Sequence, residues 1–130
     1  MVKVIAIVLL GLLGVVLLMQ LGVRLRARAF RGKAVPKLPG EIGRKVEDLD
    51  VALLYFFGPN CAACRPLTPR IRELANTNPA VLLVDVSRDL GVAQALGVMA
   101  TPTVVEVGGG QVQGYYVGMP PQAILERFRR

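Results

Sequence analysis

The two cysteines of this 130-residue chain stand three positions apart, as Cys61-Ala62-Ala63-Cys64. Thiols at that spacing can close to a disulfide and exchange it with another, because one helical turn brings two sulfurs within bonding distance without unfolding anything. The chain contains no His. An imidazole base is therefore excluded, as is a four-ligand Cys/His zinc site built within one chain. Two cysteines are also too few for a disulfide-stapled scaffold. The pair could be a redox dithiol, half of a metal site shared between two chains, a thiolate carrier of Cu(I) or Zn(II), or two inert core residues.

A reactive cysteine needs a place that stabilises its thiolate, and the flanking residues predict one. Residues 51–57 are a near-continuous apolar run ended by Gly58-Pro59-Asn60, which reads as a strand buried on both faces. Residues 61–75 have helical composition and are closed by Asn76-Thr77-Asn78-Pro79. Cys61 would then sit at a helix N-terminus, where unpaired N–H groups and the dipole favour the thiolate, and would be the attacking sulfur. Cys64, one turn further and more buried, would resolve the mixed disulfide. Residues 81–86 form a second apolar run, and Ser87 or Asp89 can cap a helix to Leu96, followed by Gly97. Residues 103–107 and 111–116 predict a hairpin about Gly108-Gly109-Gly110. Pro120 or Pro121 opens a last helix, 122–128, with Ile124, Leu125 and Phe128 on one side. The order βαβ then αββα implies an α/β domain, a mixed sheet with helices on both faces.

The stretch from Phe56 to Pro69, Phe-Phe-Gly-Pro-Asn-Cys-Ala-Ala-Cys-Arg-Pro-Leu-Thr-Pro, resembles the active-site segment of the thioredoxin family. Pro69 matches the proline that kinks the family's active-site helix. Thr101-Pro102-Thr103 resembles the second signature, in which a cis proline packs beside the dithiol. The resemblance covers about residues 46–130 and implies a thioredoxin-like fold. It also implies catalytic Cys61 and Cys64, and a substrate surface including Thr101, whose backbone would pair with the substrate chain, Pro102, Asn60 and Gly118. Four departures accompany it. Asn60 stands where thioredoxins carry a Trp, so the surface beside the thiol is more polar. Tyr55 replaces a buried Asp that helps deprotonate the second cysteine, which implies slower turnover. Ala62-Ala63 replaces Gly-Pro and alters the donors facing the sulfur. The span between Pro36 and Cys61 is too short for the family's full first strand and helix.

The charge lies elsewhere. The net charge is +7 with an estimated pI near 10.1, yet residues 1–34 hold six basic and no acidic residues while residues 35–130 hold ten basic and nine acidic. Residues 4–23 carry no charge at all and would span about 30 Å as a helix, the thickness of a bilayer's hydrocarbon core. The run is too apolar all round to be buried by so short a remaining chain. It also exceeds the h-region of a signal peptide, although Ala27-Arg28-Ala29 has the form of a cleavage site. Residues 1–23 are accordingly read as one N-terminal transmembrane helix, 24–40 as a basic, proline-containing linker, and 41–130 as the thioredoxin-like domain. Five basic residues follow the span within ten positions. The positive-inside rule thus favours a cytoplasmic domain over an extracytoplasmic one.

The expectation is a single-pass, membrane-anchored thiol-disulfide oxidoreductase that needs no cofactor. It would exchange disulfides with protein substrates and be reset by an upstream redox partner. The alternatives are a Cu or Zn carrier and a redox-inactive docking module of the same fold. Nucleic acid is not an expected partner, because the domain is near neutral and lacks a basic-aromatic surface signature.

Overall fold

The computed structural model describes residues 1–129. Helix α1, Val2–Phe30, is followed by α2 (Gly40–Glu47), β1 (Val51–Phe57), α3 (Thr68–Thr77), β2 (Val81–Asp85), α4 (Leu90–Ala95), β3 (Thr103–Gly108), β4 (Gln111–Val117) and α5 (Gln122–Arg127). The four strands form one mixed sheet in the order β2-β1-β3-β4. β1 runs parallel to β2 and antiparallel to β3, and β3 pairs antiparallel with β4. The expected thioredoxin-like fold is the one observed, with helices on both faces.

The apolar run of β1 explains its central position. Alternate side chains point to opposite faces of a strand. Ala52, Leu54 and Phe56 join one core cluster with Val84, Val92, Leu96 and Tyr115. Leu53 and Tyr55 join the other with Leu67, Ile71, Val104 and Phe128. The first cluster is closed by α2, α4 and the end of α1, and the second by α3 and α5. The β3–β4 turn consists of Gly109 and Gly110, at φ +58° and +73°. Two successive positive φ values are what a tight hairpin matched to the strand twist requires, and glycine supplies them without steric cost. Glu106 is buried on β3 and is paired by Arg127 of α5 at 3.1 Å.

One segment agrees with the sequence expectations and two depart from them. As the short span before Cys61 implies, the family's first strand is not formed among the described residues: residues 32–35 make only a bridge to β4, through Ala34 and Gln111, and a short α2 precedes β1. β2 is therefore an edge strand. The predicted helix over 61–75 is broken into a 3₁₀ turn, Ala62–Cys64, and a separate α3 from Thr68. Pro66 and Pro69 lack N–H groups, so the i→i−4 ladder cannot run through this stretch. Pro69 accordingly starts α3 instead of kinking a longer helix.

The second departure is α1, which does not stop at Val23. It continues to Phe30 through residues read as linker from their charge. Its last turns lie on the sheet: the Phe30 ring stacks on Tyr115 with centroids 5.2 Å apart, and the Arg31 guanidinium lies over Tyr116. Gly97 makes room for this contact, since a Cβ there would come within 2.5 Å of the Phe30 ring. Upstream of this contact α1 is exposed along its length, and it is long and apolar enough to cross a membrane.

Candidate active site

Gly58-Pro59-Asn60 turns the chain out of β1, and Cys61 follows in an extended conformation. Cys61 and Cys64 are joined as a disulfide with Cα atoms 5.3 Å apart. Cys61 is half-buried and Cys64 is 2% exposed, so one sulfur of the pair is open to a partner and the other is not. The Cys64 N–H donates to the Cys61 Sγ at 3.2 Å. A backbone N–H aimed at the sulfur stabilises a thiolate there. Because the helix is interrupted after Cys64, this single donor, rather than the dipole of a long helix, is the local source of that effect.

Beneath the pair lies Tyr55, fully buried, with its ring stacked on Phe57 at 5.6 Å. Its hydroxyl is 2.7 Å from Thr68 Oγ1, and the Thr68 hydroxyl donates to the Cys64 carbonyl at 2.9 Å. Since Thr68 uses its proton on that carbonyl, Tyr55 donates to Thr68. A direct Tyr55 contact to the same carbonyl is longer, 3.4 Å. Where the resemblance has a carboxylate, this chain therefore has a neutral hydroxyl relay that holds the Cys64 backbone. Thr68 is a residue the sequence reading missed. A Thr four positions after Cys64 can return its hydroxyl to the i−4 carbonyl, which was the available signal.

Burial pushes the Tyr55 hydroxyl above its ordinary pKa of 10.0, against smaller lowering effects from Thr68 and Arg72. The group stays protonated throughout the neutral range and cannot serve there as a base. In the unfolded chain the tyrosine would ionise first, so the stability it contributes is present below about pH 10 and is lost as pH rises through its higher folded pKa. Tyr55→Phe is expected to cost about 1 kcal/mol at pH 8, the net worth of one buried hydrogen bond. It should also flatten the alkaline loss of stability without abolishing it, because Tyr115 is likewise raised by burial. Urea denaturation at pH 8 and pH 10.5 checks this; equal alkaline losses in both proteins would refute it.

The 98–102 loop comes up beside the cysteines. A Cβ on Gly58 would lie 3.8 Å from both the Cys61 Cβ and Thr101 Oγ1, so the two loops flank one gap. The Thr101-Pro102 peptide bond is cis, Thr101 is half-buried and Pro102 is buried. The Gly118 N–H donates to the Pro102 carbonyl at 2.8 Å, which brings the residue after β4 to the same end of the sheet. Asn60 is exposed at the turn that precedes Cys61. All six residues singled out by the sequence thus lie at one end of the sheet, five on loops and Cys64 at the end of the 3₁₀ turn.

A family model described as Thioredoxin matches residues 41–130. A curated Brevibacillus choshinensis protein described as a disulfide bond formation protein is 31% identical over 83 residues, covering 61% of this chain and 70% of that one. Thioredoxin 1 of Nostoc sp. is 31% identical over 88 residues, covering 65% of this chain and 82% of that one. Among solved structures, a single-site variant of thioredoxin from Halobacterium salinarum superposes with a TM-score of 0.58 at 28% identity, covering 75% of this chain and 93% of that one.

Proposed function

The chain belongs to the thioredoxin family, and from that premise we propose that it is a membrane-anchored thiol-disulfide oxidoreductase acting on protein disulfides through Cys61 and Cys64. The observation that carries this reading is the closed Cys61–Cys64 pair, with the accessible sulfur facing an N–H donor and the other sulfur buried. In the reducing direction the Cys61 thiolate attacks one sulfur of a partner disulfide. The partner's other sulfur leaves as a thiolate and takes a proton. Cys64 then gives up its proton and attacks Cys61 of the mixed disulfide, releasing the second partner thiol and leaving the Cys61–Cys64 disulfide. Two electrons pass from this chain to the substrate, and an upstream dithiol protein returns them.

Asn60, Thr101, Pro102 and Gly118 form the rim on which a substrate segment is held, with the Thr101 backbone pairing to it. The anchor is α1, supported by its length and apolar character. The basic residues that follow its apolar span favour a cytoplasmic domain. A cytoplasmic dithiol would be kept reduced and act as a reductase. The relatives are described both as thioredoxins and as a disulfide bond formation protein, so the reduction potential chooses the direction. Titration of the full chain in detergent against glutathione or dithiothreitol is expected to give a value nearer about −270 mV than about −120 mV, the range of reductants rather than oxidants. A value near the oxidant end would reverse the direction. If the reduced chain in detergent cleaves neither insulin disulfides nor a pyridyl disulfide, the proposed activity is overturned.

A further inference from the structure

The membrane-spanning helix leaves the domain at the end of the sheet that carries the cysteines. α1 runs antiparallel to β4. At the start of the strand, Gly32 N–H donates to the Val112 carbonyl and Val112 N–H donates to the Lys33 carbonyl, at 2.7 and 2.9 Å. Midway, Phe30 stacks on Tyr115. At the end of the strand, Val117 faces a cleft walled by Val16, Met19, Gln20, Val23 and Arg24 of the helix. Val117 pairs with Thr103, and the next residue, Gly118, bonds Pro102. This is the dithiol end.

From Phe30 back to Val23 the helix rises about 10 Å at about 1.5 Å per residue. From Tyr115 to Val117 the strand advances about 7 Å at about 3.4 Å per residue. Val117 therefore stands about 3 Å short of Val23, level with Leu25 and Arg26, on the headgroup side of the end of the uncharged span. Phe56, which leads into the cysteine loop, is registered to Thr103, which in turn is registered to Val117. Those two strand spacings amount to about 10 Å. The dithiol is thus beside the bilayer boundary and not at the far pole of the domain.

The surface at this end fits that position. Of the loops at this end, residues 58–64, 97–103 and 117–122 contain no charged residue, whereas the turn after β2, whose Val86 also lies against Gly58, carries Asp85, Arg88 and Asp89 on the side away from α1. Met99 is 79% exposed, Met119 55% and Val117 39%. On α1, Arg24, Arg26 and Arg28 can reach the headgroups.

We propose that the Cys61–Cys64 dithiol faces the membrane, and that its substrate is a disulfide held at headgroup depth by an integral membrane protein, not one in a freely soluble protein. The inference rests on the anchor and the exchange chemistry proposed above. Reaction follows the same balance: Cys61 attacks the membrane-held disulfide, Cys64 resolves, and two electrons reduce the partner pair to two thiols. The test uses the full chain, reduced, in phosphatidylcholine vesicles containing a phosphatidylethanolamine with a pyridyl-disulfide headgroup. A second protein carries a 20-residue Gly/Ser spacer between Val23 and Arg24. That spacer has an end-to-end distance of about 25 Å, long enough for the docked domain to turn its cysteines away from the bilayer.

The native chain is expected to release pyridinethione from the lipid at least about tenfold faster than the spacer chain, because its dithiol is held at high effective concentration. On insulin added outside the vesicles the order should reverse, and insulin cleavage also shows that the spacer chain is folded. Equal rates on the lipid disulfide, or faster insulin cleavage by the native chain, would overturn the orientation and leave the anchor standing. If alkaline carbonate strips the native chain from the vesicles, the anchor fails and the orientation falls with it. If the reduced native chain cleaves neither substrate, the exchange chemistry itself fails.

Discussion

Cys61→Ser is expected to bring insulin reduction by the full chain down to the uncatalysed background, a loss of about a thousandfold or more, since a hydroxyl cannot form the mixed disulfide. The fold of the reduced protein should be unaffected, because Cys61 is half-buried at a turn and, the disulfide apart, its sulfur accepts one N–H. Cys64→Ser should give a different result. The attacking sulfur is intact, so the first exchange proceeds, but no second thiol releases the product. Stable adducts should accumulate to about one partner per chain and disappear on treatment with dithiothreitol. Non-reducing electrophoresis or intact-mass measurement separates the two variants. Activity retained in Cys61→Ser would show that the exchange uses some other group. Absence of adducts in Cys64→Ser would assign the attack to the wrong sulfur or show that release needs no resolving thiol. The asymmetry follows from burial: Cys64 sits under the loop with its carbonyl tied to Thr68, and a partner chain cannot approach it directly.

What could be read from the residues, and what could not, divides along physical lines. β1 was legible because seven consecutive apolar or aromatic residues ending in Gly-Pro-Asn fit a doubly buried strand and little else. The hairpin was legible because Gly109-Gly110 is a turn signal with a mechanism. The continuation of α1 was misread because the arginines of residues 24–31 were weighed as charge. Arg is nonetheless a good helix former. Val16, Gln20, Val23, Ala27 and Phe30 also recur at helical spacing on one side of α1. That stripe crosses the boundary between anchor and linker, and its last members are the ones that pack on the sheet.

The site itself was legible in part. Cys61, Cys64, Thr101 and Pro102 stand in recognisable motifs, but the way they are supported does not. Whether Tyr55 would leave a void, a buried unpaired hydroxyl or a relay depends on what lies three to four ångströms away, and that is set by where α3 begins. Pro66 and Pro69 decide it by breaking the ladder, which turns Thr68 back onto Cys64. The placement of the dithiol end of the sheet along α1 was not legible at all. It depends on the sense in which α1 lies along β4, a contact between segments more than eighty residues apart.

Phe56→Ala is expected to cost about 3–5 kcal/mol, the usual result of emptying a fully buried aromatic site. Phe56 has no exposed surface, lies on the central strand, and is flanked in register by Val84 and Thr103. Both neighbouring strands are fixed by the sheet, so the site cannot collapse to fill the void. A domain of this size shifts its midpoint by about 4–8 °C per kcal/mol, which puts the loss at roughly 12–40 °C. Thermal denaturation followed by tyrosine fluorescence measures it without the signal of α1, because all three tyrosines lie in β1 and β4. A loss below about 1 kcal/mol would mean that the core repacks around the void, contrary to its close-packed character. The chemistry should respond differently from the stability. Phe56 packs in the core cluster on the face of the sheet opposite Tyr55, which supports Cys64, so insulin reduction per folded molecule should stay near that of the native chain at low temperature. It should then fall steeply along the denaturation curve. An activity loss that precedes unfolding would instead show that Phe56 also positions the cysteine loop, two residues beyond it at Gly58.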